Sequence, residues 1–309
     1  MKSTKTDVIV IGAGQAGLAT SYYLTKAEIK HLILERGSIA NAWKNERWDS
    51  FCLVTPNWTI NLPGALDDTV DPEGFMNKNE FVKILENWAK SFQAPVVEGI
   101  CVNELTKTGN GFKIITDSGN FFANQVIIAT ATYQRPKIPQ AFSNLDCECE
   151  LKTVIDYKNP DSLREGGVLV VGSGQSGCQI AEELNNAGCS TYLSIGHTGR
   201  LPRRYRGADC IKWQLEMGWL DRCADFLDDP KKRFSGDPHL SGKNGGYTLS
   251  LHELRSSGVT LLGRIKSVDG SVLKFRKDVN SAIEASDKYA KEFRRSVDEF
   301  IENSGQTVP

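Results

Sequence analysis

The chain has 309 residues, 40% of them apolar and 24% charged, enough for the buried cores of about two domains. Lysine and arginine together number 37 against 38 aspartates and glutamates, a formal net charge of −1. That balance argues against nucleic acid or an anionic membrane as the main partner. No stretch of 18 uninterrupted apolar residues occurs, and the opening Met1-Lys2-Ser3-Thr4 lacks the charged head, apolar core and cleavage site of a secretory signal. The eight cysteines are scattered without a C-x-x-C; the one close pair is Cys147-x-Cys149. They read as reduced thiols of a cytoplasmic protein.

The first element is the apolar, β-branched run Asp7-Val8-Ile9-Val10-Ile11, a strand. Gly12-Ala13-Gly14-Gln15-Ala16-Gly17 follows, then a helix from Leu18 to Lys26, then a strand, His31-Leu32-Ile33-Leu34, that ends at Glu35. Strand, G-x-G-x-x-G, helix, strand and acid in that order form a dinucleotide fingerprint, and Glu35 stands at the distance expected of a ribose-binding carboxylate. Gly12 permits the tight turn, Gly14 lets backbone approach a pyrophosphate, and Gly17 lets helix and strand pack closely. The helix N-terminus offers N–H groups and a positive dipole end to the phosphates.

Between the fingerprints, segment 38–64 holds three indoles, Trp43, Trp48 and Trp58, with Arg47 and Asp49 among them. Such rings either wall a flat cofactor or are ordinary core aromatics. Residues 79–92 have a helical stripe of Phe81, Ile84, Leu85, Trp88 and Phe92. Short strands are expected at Val96-Val97, Gly99 to Val102, Phe112 to Thr116, Phe121-Phe122 and Gln125 to Ala129, separated by turn signals at Gly109-Asn110-Gly111 and Asp117-Ser118-Gly119-Asn120, in the manner of a small antiparallel insertion. Val126 to Ala131 is a buried strand entering a tight turn of small residues, and a domain boundary is placed at 155–166.

A second fingerprint begins at Gly166. Val168-Leu169-Val170-Val171 is its strand and Gly172-Ser173-Gly174-Gln175-Ser176-Gly177 its loop. A helix runs to about Ala187, and the next strand ends at Ser194. Ser194 occupies the position equivalent to Glu35, so no carboxylate stands there, and Arg200, Arg203 and Arg204 follow. A carboxylate repels a 2′-phosphate, whereas guanidinium groups bind one with paired donors. The second site therefore reads as NADP(H), the first as FAD or NAD; the arginine run is otherwise a solvated basic loop. The charged run 228–233 reads as solvated, and the glycine loop 241–246 either covers a cofactor or is plain surface. A short helix is expected at 249–254, strands at 259–262 and 272–275, and an amphipathic helix at 281–303 whose apolar face needs a partner. The fold class is α/β with two Rossmann-like dinucleotide-binding domains.

The paired fingerprints, Glu35, Trp43, Arg47-Trp48-Asp49, the Ala129-Thr130 turn and the Arg200–Arg206 cluster resemble the flavin-containing monooxygenases, in particular the YUCCA-like and CzcO-like oxidoreductases. The resemblance extends over nearly the whole chain. It implies an FAD domain over 1–158, an NADP domain over 159–275, and a helix over 276–309 leading back toward the FAD domain. It implies FAD and NADPH as cofactors, with Gly12, Gly14, Gln15, Ala16 and Gly17 on the FAD pyrophosphate and Glu35 on its ribose. Arg36 and Ala129 belong to the same site, Trp43 and Arg47 lie near the flavin, and Val102 meets the adenine through its backbone. Gly172, Ser173, Gly174, Gln175, Ser176 and Gly177 hold the NADPH pyrophosphate, and Ser194, Arg200 and Arg204 its 2′-phosphate. The implied reaction is hydride transfer from NADPH to flavin and oxygenation of a small organic substrate through a flavin hydroperoxide. Substrate and oxygen are then the partners, with neither nucleic acid nor membrane involved.

The sequence departs from the group in several places. Where the monooxygenase signature has Phe, Gly and His before an aromatic residue, Cys147, Cys149 and Thr153 precede Tyr157. Ala131 replaces a turn glycine, and the assignment of Asn57 to a flavin-facing position is ambiguous. The relatives continue past the last helix and return to the FAD domain, so a truncated form, or a flavin site completed by a second copy or a partner chain, is expected. Two alternatives stand beside the monooxygenase reading. One is an uncoupled NADPH oxidase or non-catalytic remnant. The other is a flavin disulfide reductase, which needs a dithiol spacing that Cys147-x-Cys149 lacks. No acid–base pair or metal cluster is expected.

Overall fold

The computed structural model describes residues 4–66, 69–133, 135–146, 148–223, 225, 229, 230, 236 and 238–308. Cys147 and most of the charged run 228–233 therefore lie outside the described residues.

The first half begins with β1 (Thr4–Ile11), α1 (Gln15–Lys26) and β2 (His31–Leu34). A short helix α2 (Asn41–Asn45) and a longer one, α3 (Lys78–Ser91), follow. Asn77 starts α3 with a capping box: its side chain accepts from the Asn79 and Glu80 amides, and Glu80 accepts from the Asn77 amide. Then come β3 (Val96–Val97), β4 (Val102–Thr108), β5 (Gly111–Thr116) and β6 (Gly119–Ile128). These strands form one six-stranded sheet in the order β3-β2-β1-β6-β5-β4. β1 pairs in parallel with β2 and β6, while β6-β5-β4 is antiparallel. The antiparallel strands expected over 96–128 are thus part of the main sheet. β6 is a single ten-residue strand where two short ones are expected, because it serves β1 along one edge and β5 along the other.

Val8, Ile9 and Val10 are buried, as a central parallel strand requires. Alternation sends Val8 and Val10 into a core with Leu18 of α1 and Phe81, Leu85 and Trp88 of α3. Ile9 joins Leu34, Ile114 and Ala123 on the other side.

The second half repeats the opening with β7 (Val168–Val171), α4 (Gln175–Asn186) and β8 (Thr191–Ser194). A two-residue ladder of β9 (Arg204–Tyr205) and β10 (Ala208–Asp209) leads into α5 (Cys210–Glu216). α6 (Leu251–Ser257) precedes β11 (Thr260–Leu262), which pairs in parallel with β8 in a sheet ordered β11-β8-β7. The hairpin β12 (Ile265–Asp269) and β13 (Val272–Phe275) leads to α7 (Val279–Ser304).

Two expectations are corrected here. The apolar face of α7 is not left open. Ala282 and Ile283 join the core of the second sheet, while Phe293 and Val297 pack with Leu201, Trp213 and Leu240. Leu201, Cys210, Ile211, Trp213 and Leu240 supply that partner surface. Nor are all the thiols reduced: Cys149 is in a disulfide, whereas Cys52, Cys101, Cys178, Cys189, Cys210 and Cys223 are free.

The halves are stitched together near the aromatic segment. Trp48 is buried with Tyr157, Ile180 and Leu184, and the Asp49 amide donates to Lys158 O at 2.7 Å.

Candidate dinucleotide sites

β1 delivers the chain to Gly12, whose φ of +104° a side chain rarely allows. A Cβ at Gly12 would lie 2.6 Å from Ala129 O, and one at Gly17 would lie 1.9 Å from Gly12 O. Ala129 is tied in by its own amide, which donates to Ile11 O at 2.9 Å. Gly12, Gly17 and Ala129 thus let strand, loop and helix close upon one another. Gly14 is of a different kind. Its φ of −82° and ψ of −172° are extended backbone open to any residue, and a Cβ there would meet nothing within 4 Å. Gly14 faces open space at the start of α1, beside the exposed Gln15 and Ala16, where the first helical amides lack intrahelical acceptors.

Glu35 is only 7% exposed. Its Oε2 accepts from the Ala13 amide at 2.8 Å and its Oε1 from the Gly37 amide at 2.9 Å. The carboxylate therefore pins the glycine loop to the turn after β2. The Ile100 amide donates to Glu35 O at 2.8 Å, which brings the approach to Val102 alongside. Arg36 pairs with Glu46.

Trp43, on α2, meets Phe81 and Phe51 edge-on, at 4.9 and 5.7 Å between centroids. The Arg47 guanidinium lies over Trp43 and Phe51 at 5.3 and 5.7 Å. Burial lowers its pKa. Asn57 is a loop staple: its Oδ1 accepts from the Met76 amide at 3.2 Å and its Nδ2 donates to Asp71 O at 2.9 Å. Ala131 has a φ of +59°, the left-handed conformation that makes glycine the ordinary residue at such a turn.

The second loop repeats the division of labour. Gly172 has a φ of +106°, and a Cβ at Gly177 would lie 1.8 Å from Gly172 O. Gly174, at φ −74°, again has nothing within 4 Å of an added Cβ. Ser173 is buried, and its Oγ accepts from the Gly196 amide at 3.0 Å. Gln175 Oε1 accepts from the Leu240 amide at 3.0 Å, and Ser176 follows it in the half-buried first turn of α4.

The three groups proposed for a 2′-phosphate have separate partners. Ser194 is buried and donates to Gly263 O at 2.9 Å. Arg200 donates from Nε and Nη2 to Asp287 Oδ1, at 3.1 and 2.8 Å. Arg204 reaches the carbonyls of Gly245 and Gly246 at 3.2 Å. Arg203 is no solvated basic residue. It is 2% exposed, forms a two-pronged pair with Asp209 at 2.7 and 2.8 Å, donates to Val54 O at 2.7 Å and stacks 4.6 Å over Phe75.

One participant had no signal in the sequence. His239 is fully buried behind the second loop, and its Nε2 donates to Ser173 O. Its neighbour Leu240 accepts from Gln179 Nε2 at 3.0 Å. The strap 239–246 continues to the first half, where Lys243 Nζ donates to Ser50 Oγ at 2.8 Å. The glycine loop 241–246 is thus a bridge between halves.

A mixed sheet with a parallel core and a second, parallel sheet, each opening on a glycine loop at the foot of a helix, define an α/β protein with two Rossmann-like units. The chain belongs to the pyridine nucleotide-disulphide oxidoreductase family, whose profile matches residues 9–209. It is 40% identical over 272 residues to an uncharacterised CzcO-like oxidoreductase of Geobacillus kaustophilus (strain HTA426), covering 87% of this chain and 75% of that one. It is 27% identical over 288 residues to indole-3-pyruvate monooxygenase YUCCA6 of Arabidopsis thaliana, covering 85% and 68%. The flavin-containing monooxygenase from Stenotrophomonas maltophilia shares the fold, with a TM-score of 0.68 at 20% identity over 88% of this chain and 74% of that one. The resemblance to the CzcO-like and YUCCA-like group is thereby established.

Proposed function

We propose that the chain is an FAD- and NADPH-dependent oxidoreductase of the flavin monooxygenase kind, acting with oxygen on a small organic substrate. The observation that carries this reading is the pair of glycines, Gly14 and Gly174. Neither needs to be glycine for its backbone angles or its neighbours, so the missing side chain serves a group outside the chain. Each sits at a helix start suited to a pyrophosphate.

In the first cradle, Gly12, Gly14, Gln15, Ala16 and Gly17 would hold the FAD pyrophosphate, Glu35 and Arg36 would serve its ribose, Val102 its adenine, and Trp43, Arg47 and Ala129 its ring. In the second, Gly172 to Gly177 would hold the NADPH pyrophosphate, with Ser194, Arg200 and Arg204 serving the adenosine end. The absence of a carboxylate at Ser194 supports the phosphorylated coenzyme. Bound FAD would supply hydride acceptance and oxygen chemistry. The chain's residues bind, orient and exclude water, and Arg47, desolvated over two rings, offers a fixed positive charge to an anionic group.

The test is direct. Purified protein should carry flavin absorbance, oxidise NADPH faster than NADH, and transfer oxygen to a soft nucleophile such as a sulfide or an amine. Stoichiometric peroxide without substrate oxygenation would replace this reading by an uncoupled oxidase. Protein that binds no flavin after incubation with FAD would overturn it.

A further inference from the structure

We propose that Asp287, on α7, sets the coenzyme preference of the second cradle by holding Arg200 away from a 2′-phosphate. This inference rests on the reading of that cradle as an NADPH site. Arg200 lies in the segment after β8, the place where the adenosine end of a dinucleotide meets such folds. Its backbone is fixed: it bridges to His239, which in turn touches the glycine loop at Ser173 O.

The guanidinium gives both Nε and Nη2 to one oxygen, Asp287 Oδ1. The other oxygen, Oδ2, faces His252 Nε2 at 2.9 Å. The carboxylate is thus held from both sides. α7 is seated on the whole segment. Tyr289 packs so closely on Gly199 that a Cβ there would come within 2.6 Å of its ring, and Ser281 faces His197 at 3.4 Å.

A carboxylate and a phosphate compete for the same donors of a guanidinium. Asp287 also places a negative charge beside any dianion that reaches Arg200. The Asp287 side chain is 40% exposed and that of Arg200 17% exposed, so water reaches the pair at the carboxylate, the side from which a competing anion would replace it. The chain's C-terminal helix therefore belongs to the coenzyme site, and Asp287 moderates selectivity that Arg200 alone would make stronger.

The experiment compares Asp287→Asn, Arg200→Ala and the double variant with the parent holoprotein. Affinities for NADPH, NADH and 2′,5′-ADP are read by calorimetry, and folding by thermal midpoint. Asp287→Asn should tighten NADPH and 2′,5′-ADP about fivefold, the scale of one exposed ion pair, and leave NADH unchanged. Arg200→Ala should erase that gain in the double variant. An unchanged NADPH to NADH ratio in Asp287→Asn, or an equal change for both coenzymes, overturns the proposal while the cradle reading stands. Parent protein that binds none of the three probes, with variants that behave alike, overturns the cradle reading and this inference together.

Discussion

Glu35 Oε2 accepts the Ala13 amide at 2.8 Å, so a residue at the end of the second strand holds the loop at the end of the first. Its other oxygen holds the Gly37 amide. Replacing Glu35 with Gln turns one acceptor into a donor that faces a buried N–H. Leaving such a group unmatched costs about 1–3 kcal/mol. Glu35→Gln should therefore lower the urea midpoint as well as flavin retention. Loss of flavin with an unaltered midpoint would show that the loop does not depend on this carboxylate.

Gly14 and Gly17 stand three residues apart in one motif but should fail differently. Ala at Gly14 would have nothing within 4 Å of its Cβ among the described residues, so the variant should fold with its thermal midpoint within about 2 °C of the flavin-free parent, as for a neutral surface change. It should still lose FAD. Ala at Gly17 would drive a Cβ to 1.9 Å from Gly12 O, so it should be destabilised or insoluble whether or not cofactor is supplied. Far-ultraviolet dichroism and flavin content separate the two. A Gly14→Ala protein that keeps full flavin would remove the reason for that glycine.

Asp209 is the carboxylate partner of the buried Arg203 guanidinium and also caps α5 by accepting from the Ile211 amide at 2.9 Å. Removing one member of a buried pair strands the other charge, at a cost of about 3–5 kcal/mol. Asp209→Ala should fall in that range by denaturant unfolding. Arg203 also holds Val54 O, so the loss should spread into the first half and weaken flavin retention. A change under about 1 kcal/mol would mean that the pair is dispensable.

Much of this architecture was legible in the sequence because strand, glycine loop, helix and strand are local in the chain. The span from Val8 to Glu35 and that from Val168 to Ser194 each state their own fold. The roles of Arg203 and Asp287 were not legible. A guanidinium in an arginine-rich run looks the same in sequence whether it meets solvent, phosphate or a buried aspartate, and the partner of Arg200 lies 87 residues away. Strand β4 was also hidden, since Asn103, Glu104 and Lys107 give it no apolar alternation. The partner surface of α7 was missed for the same reason: the residues that cover Phe293 and Val297 are spread from Leu201 to Leu240.

His239 supplies the last test. Its Nε2–H donates to Ser173 O while its Nδ1 is buried without a partner among the described residues. Protonation would add a charge and an unmatched N–H at Nδ1, and burial accordingly lowers the pKa from its ordinary 6.5. In the unfolded chain the same histidine takes up a proton near 6.5, so below that value the unfolded state binds more protons than the folded one. The resulting stability is present above 6.5 and is lost as pH falls toward the folded pKa. Carboxylates such as Asp287 have an ordinary value of 3.8 and are lowered further, so they titrate below this window. Urea midpoints taken from pH 7.5 down to about pH 5 should therefore decline in the parent. In His239→Gln, whose amide still donates toward Ser173 O but does not titrate, the decline should be shallower. Equal slopes for the two proteins would show that the buried imidazole does not contribute to the acid sensitivity of the second cradle.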